Sequence, residues 1–144
     1  MKRSLLFFTL IILAISLHSQ NNYTLKMHSF SIDVNGKSIG FDKEITVQLV
    51  HDVEKQIEIY NSDGIRFVAV FKFTRSNNRL KLISWVYGQK FPEKIIKSKK
   101  KKDVQFIKVS APGSWTGMVS ENILLDKKKL ESIYVTFKYE FIYR

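Results

Sequence analysis

Past Gln20 the chain is governed by a two-residue alternation of apolar and polar positions. Phe30, Ile32 and Val34 are separated by Ser31 and Asp33, and Asn35-Gly36 follows before Ile39 and Phe41. Asn-Gly between two alternating runs predicts a tight β-hairpin, because the turn requires positive φ and these residues tolerate it. Ile45, Val47 and Leu49 make the next run, then Ile57 and Ile59. Asn61-Ser62-Asp63-Gly64 and Ser76-Asn77-Asn78-Arg79 read as two more turns, framing strands over 65–74 and 80–87.

In that pair Phe67, Ala69, Phe71 and Phe73 fill one face and Val68 and Val70 the other, while Leu80 and Leu82 oppose Ile83, Trp85 and Tyr87. A strand apolar on both faces is expected to be central and covered twice, which puts this hairpin at the middle of the fold. Its charges, Arg66, Lys72, Arg75, Arg79 and Lys81, gather near its ends. A basic segment follows, then a strand over 104–109 and a turn at Ala111-Pro112-Gly113-Ser114. Residues 118–125 fit either a strand or a short helical turn near Glu121. The cleanest alternation is the last, with Ile133, Val135, Phe137, Tyr139, Phe141 and Tyr143 on one face. Such a strand suits an edge open to strand addition, or equally an internal position.

Together these runs give about seven to nine strands with turns roughly every 8–12 residues, which predicts an all-β chain: a single antiparallel β-sandwich over residues 20–144. The alternatives are a small β-barrel and a lipocalin-like calyx, the latter requiring a central cavity lined by Phe67, Phe71 and Trp85. No helical period, internal repeat or linker interrupts the pattern.

Residues 1–19 follow a different rule. Lys2 and Arg3 precede a nearly unbroken apolar stretch from Leu5 to Leu17, and Ser19 stands before Gln20. This is the pattern of a secretory signal peptide. The stretch is about 13 residues, short of the roughly 20 that span a bilayer, so cleavage after Ser19 is expected rather than retention as an anchor. No cysteine follows it, which excludes a thioether-linked lipid. The expected destination is the periplasm or the exterior, with no stable membrane insertion after cleavage.

Composition sharpens the picture in two ways. The formal net charge is +11 over 144 residues, and removing Lys2 and Arg3 leaves +9, so the basicity belongs to residues 20–144. Cysteine is absent and histidine numbers 3, which excludes disulfides, thiolate metal sites and a cysteine nucleophile, and leaves little for zinc. No metal or cofactor is expected. Lysine outnumbers arginine 19 to 5, whereas base- and phosphate-reading surfaces lean on arginine forks.

The candidate chemistry is therefore that of cations and aromatics. Lys90, Lys94, Lys97, Lys99, Lys100, Lys101 and Lys102 crowd one segment, expected to be a loop tip that attracts an anionic glycolipid, a polysaccharide or an acidic protein. Lys127, Lys128 and Lys129 join it if their turn shares the same end of the fold. The plain alternative is a solvated run that keeps sheet edges soluble. Trp115, in Ala-Pro-Gly-Ser-Trp-Thr-Gly, is read as a loop residue that either stacks on a partner or caps the core. His51-Asp52 cannot act as a relay from neighbouring strand positions, which face opposite ways. No Gly-x-Ser-x-Gly elbow and no nucleic-acid motif is present, so no nucleic-acid partner is expected.

The expected function is that of an exported small basic binding or interaction module, without catalytic residues that can be nominated. A small outer-membrane barrel and a small hydrolase on a β-scaffold are the alternatives. Intact mass of the fractionated protein tests the leader: a soluble species of 125 residues beginning at Gln20 is expected. A species retaining residues 1–19 and resisting carbonate extraction would mean an anchor.

Overall fold

The computed structural model describes residues 23–34, 36–62, 64–90, 94–97, 102–109, 111–126 and 131–144. These residues form ten strands: β1 Tyr23–Val34, β2 Lys37–Phe41, β3 Ile45–Leu49, β4 Lys55–Ser62, β5 Ile65–Ser76, β6 Arg79–Lys90, β7 Lys94–Lys97, β8 Asp103–Lys108, β9 Gly113–Asp126 and β10 Glu131–Tyr143. Two antiparallel sheets pack face to face as a sandwich. The first runs β9, β10, β1, with β2 and β3 end to end along the far side of β1. The second runs β4, β5, β6, with β7 and β8 end to end along β6.

The turns carry the backbone demands that their residues meet. Gly36 and Gly64 hold φ of 82° and 72°, and Asn77 holds 50°, in the three hairpin turns expected from the chain. The Gly36 amide also donates to Asp33 at 2.9 Å. β1 contains a bulge that the alternation itself encodes. Tyr23, Leu25 and Met27 face the core, and then Phe30 and Ile32 do, a slip of one residue. Ser29, at φ 56°, takes up the extra residue and keeps both halves of the strand facing inward.

The core is a layer of rings. Phe71 meets Tyr139 edge-on at 5.2 Å and Phe137 at 6.3 Å. Phe73 packs on Tyr23 at 4.3 Å and Phe141 at 5.6 Å. Because Phe73, Phe71, Ala69 and Phe67 pair with Leu82, Ser84, Val86 and Gly88, the inward face of β6 is its even-numbered one. Trp85 therefore lies on the outer face and cannot line an inner cavity with Phe67 and Phe71, which overturns the calyx alternative. Apolar residues face inward, and the outer face of the first sheet carries Thr24, Lys26, Thr136, Lys138 and Glu140. That polarity is the reverse of the one a lipid-facing barrel requires.

Val68 and Val70, on the outer face of β5, are nonetheless fully buried. Tyr87 of β6 donates to Gln56 of β4 at 3.2 Å, reaching across β5 above them. The hairpin β5–β6 is thus internal and covered twice, once by the other sheet and once by its own neighbours' side chains.

Three local expectations differ from the structure. Residues 133–143 are internal, between β1 and β9, not an edge. Residues 113–126 are one long strand, with Trp115 in it rather than in a loop. Lys94–Lys97, expected within a loop, pairs with the end of β6.

Since Phe71 makes two aromatic contacts with β10 and is fully buried, Phe71→Ala should cost about 3–5 kcal/mol of stability. Denaturant titration followed by tryptophan fluorescence measures this, and an unchanged midpoint would mean that the ring layer does not hold the sheets.

Candidate functional site

Five segments meet at one end of the sandwich: the start of β1, the β3–β4 loop, the β5–β6 turn, the β8–β9 connection and the end of β10. Register and hydrogen bonds tie them together. Tyr23 pairs with Leu49, the Asp52 amide donates to the Phe73 carbonyl at 2.9 Å, and the Val109 amide donates to the Asn78 carbonyl at 2.8 Å. Two adjoining concavities open here and share Asn78. One, of about 350 Å³, is lined by Asn78, Arg79, Phe106, Ile107 and Lys108. The other, of about 210 Å³, is lined by Arg75, Asn78, Val109, Ala111, Pro112, Tyr143 and Arg144.

Residues 20–144 contain four arginines, and three of them line these concavities. The fourth, Arg66, is committed to Glu58 at 2.6 Å on the outer face of the second sheet. No aspartate or glutamate is among the described residues lining either concavity. Half-buried Arg75 donates through Nη1 to the Tyr23 hydroxyl at 2.7 Å, which orients the guanidinium and leaves its other N–H groups for a ligand. Asp52 on the adjacent loop lies 2.9 Å from Lys72, whose hydrogen bond and positive charge hold its carboxyl below the usual range. Glu54 is exposed on the same loop. A planar guanidinium matches carboxylate and phosphate oxygens two at a time, so this end can hold an anionic group.

These residues were only half legible in the chain. Arg75 and Arg79 bracket a turn and had to share an end. Lys108 and Arg144 joined them only through the pairing of β8 and β10.

The lysine candidates divide differently. Lys90 stands directly opposite Lys94, and Lys97 opposite Tyr87. Lys99, Lys100, Lys101, Lys127, Lys128 and Lys129 lie outside the described residues. The strands that flank 127–129 end beside the β6–β7 turn, since Ile123 of β9 packs against the position of Gly88. The flanks of 99–101 do not end there: β7 ends opposite Tyr87 and β8 begins opposite Ser84, midway along β6. Lys102 is exposed, with its ammonium 4.0 Å from the centre of the Trp85 ring.

Trp115 is half-buried on the inward side of β9, its ring 5.7 Å from that of Tyr139. Gly117, two residues on, admits both rings: a Cβ there would lie 2.6 Å from Tyr139 and 2.7 Å from Trp115. The Tyr139 hydroxyl is hydrogen-bonded to buried Ser84, and Asp103 lies near enough to act on it. Burial above all, then the Asp103 charge, raises its ionisation well above the usual tyrosine range, with the Ser84 bond opposing.

His28 and His51 are both exposed, one beside the Ser29 hydroxyl at 2.8 Å and the other edge-on to Phe73. No group of three or more His, Asp or Glu among the described residues is placed to hold a metal ion. No helix of the described residues is long and apolar enough to cross a membrane. No known protein family, curated protein or solved structure matches the chain, so function is read from the molecule's own geometry.

Tyr139 generates a pH dependence of known sign. The folded state keeps this proton at alkaline pH, whereas the unfolded chain releases it near pH 10, so its contribution is full below about pH 10 and is lost above it. Denaturant midpoints should fall as the pH is raised through that range, and Tyr139→Phe should flatten the fall. An equally steep fall in the variant would mean that other groups cause it.

Proposed function

We propose that the protein is an exported binding module of the β-sandwich class that holds anionic groups of the cell envelope at its arginine-lined end. The observation that carries this is the convergence of Arg75, Arg79 and Arg144, with Lys108, on two adjoining concavities whose described lining has no aspartate or glutamate. The alternation of the chain builds the fold without needing arginine at any of these positions, and charges concentrated on one end oppose one another unless an anion is present. The secretory pattern of residues 1–19 supplies the compartment, where glycolipids, acidic polysaccharides and acidic proteins offer such groups. Lys90, Lys94 and Lys97, at the paired ends of β6 and β7, and exposed Lys102 add positive potential on the second sheet, and Lys99–Lys101 and Lys127–Lys129 add to the net charge, which favours encounter more than specificity.

Retention on a heparin-type polyanion column tests this. Arg75→Gln with Arg79→Gln should lower the eluting salt clearly, corresponding to an affinity loss of about a hundredfold if each of the two charged hydrogen bonds contributes about 1.5 kcal/mol. Lys37→Gln with Lys43→Gln removes the same charge elsewhere and should have a smaller effect. Charge reversal at Lys99 to Lys102 is the competing arm. If it abolishes retention while the arginine pair does not, the lysine segment is the site instead.

A further inference from the structure

We infer that the arginine-lined end docks on an anionic lipid surface, presenting its cations to the headgroups and its exposed apolar tips to the boundary beneath. This rests on the anion-binding reading above and names the surface that supplies the anions. The cations alone would suit any polyanion. What distinguishes this end is that apolar side chains stand among them in water. Val50 and Val53 are 62% and 53% exposed, and Phe106 is 74% exposed. These are three of the seven large hydrophobic side chains exposed among the described residues, and this end gathers them beside the charges.

Their placement is local and fixed. The Val53 amide donates to the Val50 carbonyl at 3.2 Å, closing a tight turn that presents both valines at the tip of the β3–β4 loop. Asp52 sits in that turn at φ 62°, tied by its amide to the end of β5 and by its carboxylate to Lys72. The loop is thereby held against the strand that carries Arg75. On the other flank Phe106 forms one wall of the concavity that Arg79 and Lys108 complete. A polysaccharide or an acidic protein surface would meet the cations but would leave the valines in water. A bilayer of anionic lipid satisfies both, because its charged layer lies directly over an apolar one. Lys90 and Lys94, paired where β6 ends and β7 begins, lie at the opposite end of the strands and stay free of such a surface.

Co-sedimentation of the exported protein, as isolated, with vesicles tests the inference. The probes are phosphatidylcholine vesicles with and without phosphatidylglycerol. Binding is expected to the anionic vesicles only, and to weaken as salt is added. Each cation near such a surface strengthens binding about fivefold, so Arg75→Gln with Arg79→Gln should weaken it about thirtyfold. Val50→Ser, Val53→Ser and Phe106→Ser are surface changes expected to leave the core intact, which an unchanged thermal-unfolding midpoint checks. Together they should weaken vesicle binding, and Val50→Ser with Val53→Ser, which touch neither concavity, should do so while leaving polyanion retention unchanged.

The failures separate. Retention on the polyanion column without binding to anionic vesicles overturns the lipid inference and leaves the anion reading standing. Loss of both in the wild-type protein overturns the anion reading itself. Vesicle binding that is insensitive to the valine and phenylalanine changes, or that inorganic phosphate displaces at constant ionic strength, assigns the concavities to a free anion and overturns the docking.

Discussion

With no cysteine to cross-link them, the two sheets are held face to face by rings from β5 on one side and β10 and β1 on the other. Phe71 sits against Phe137 and Tyr139, and Phe73 against Phe141 and Tyr23, all of them buried. Aromatic pairs in tilted or edge-on geometry contribute about 0.5–1.5 kcal/mol each beyond the area they bury. Large rings impose a second condition, because they need space on the strand they face. Gly117 lies under Tyr139, Gly113 under Tyr143 and Gly88 under Phe67, each where a Cβ would come within about 2.6–3.2 Å of the ring. Glycine in a strand weakens it locally, and here the weakening is offset by the ring that fills the space.

This packing also sets where the charges go. The ring layer fixes β5 and β10 so that the β5–β6 turn and the end of β10 emerge side by side. The Tyr23 hydroxyl reaches the end of the layer and meets Arg75 there. Arg75 is thus attached to the core through one hydrogen bond while its charge faces the concavity. A sandwich of this kind specifies no activity, since unrelated functions occupy the same architecture. The proposed function rests on what the end of the sandwich presents: guanidinium groups, a lysine, and apolar side chains left exposed on the β3–β4 turn and on β8.

Some elements were plain in the sequence and others were concealed for definite reasons. Asn35-Gly36, Gly64 and Asn77 announced their hairpins because positive φ admits few residue types. Residues 133–143 were unmistakable as a strand, but alternation says nothing of how many neighbours a strand has, so its internal place stayed open. β9 was concealed by its own inward face. Its apolar inward residues, Trp115, Val119 and Ile123, recur every four positions, because Gly113, Gly117 and Glu121 occupy the places between. That spacing imitates a helix. β7 was concealed by lysines at both its ends. The slip between Met27 and Phe30 was visible in the sequence, yet only a bulge at Ser29 makes it part of one strand.

The sequence by itself determined an all-β chain, the positions of its tight turns, a positive charge carried mostly by residues 20–144, and a stability that rests on apolar packing alone. These follow from short-range rules: a two-residue period, the φ demands of turns and the absence of a residue type. The tertiary structure decided which cations act together. The lysine run drew attention because its members are neighbours in sequence, whereas Arg75, Arg79 and Lys108 lie on three different strands and Arg144 just past a fourth. Only the pairing of β8 with β6, and of β10 with β1 and β9, brings them to one end. Pairing between distant strands is set by the fit of the whole core, which no local pattern contains.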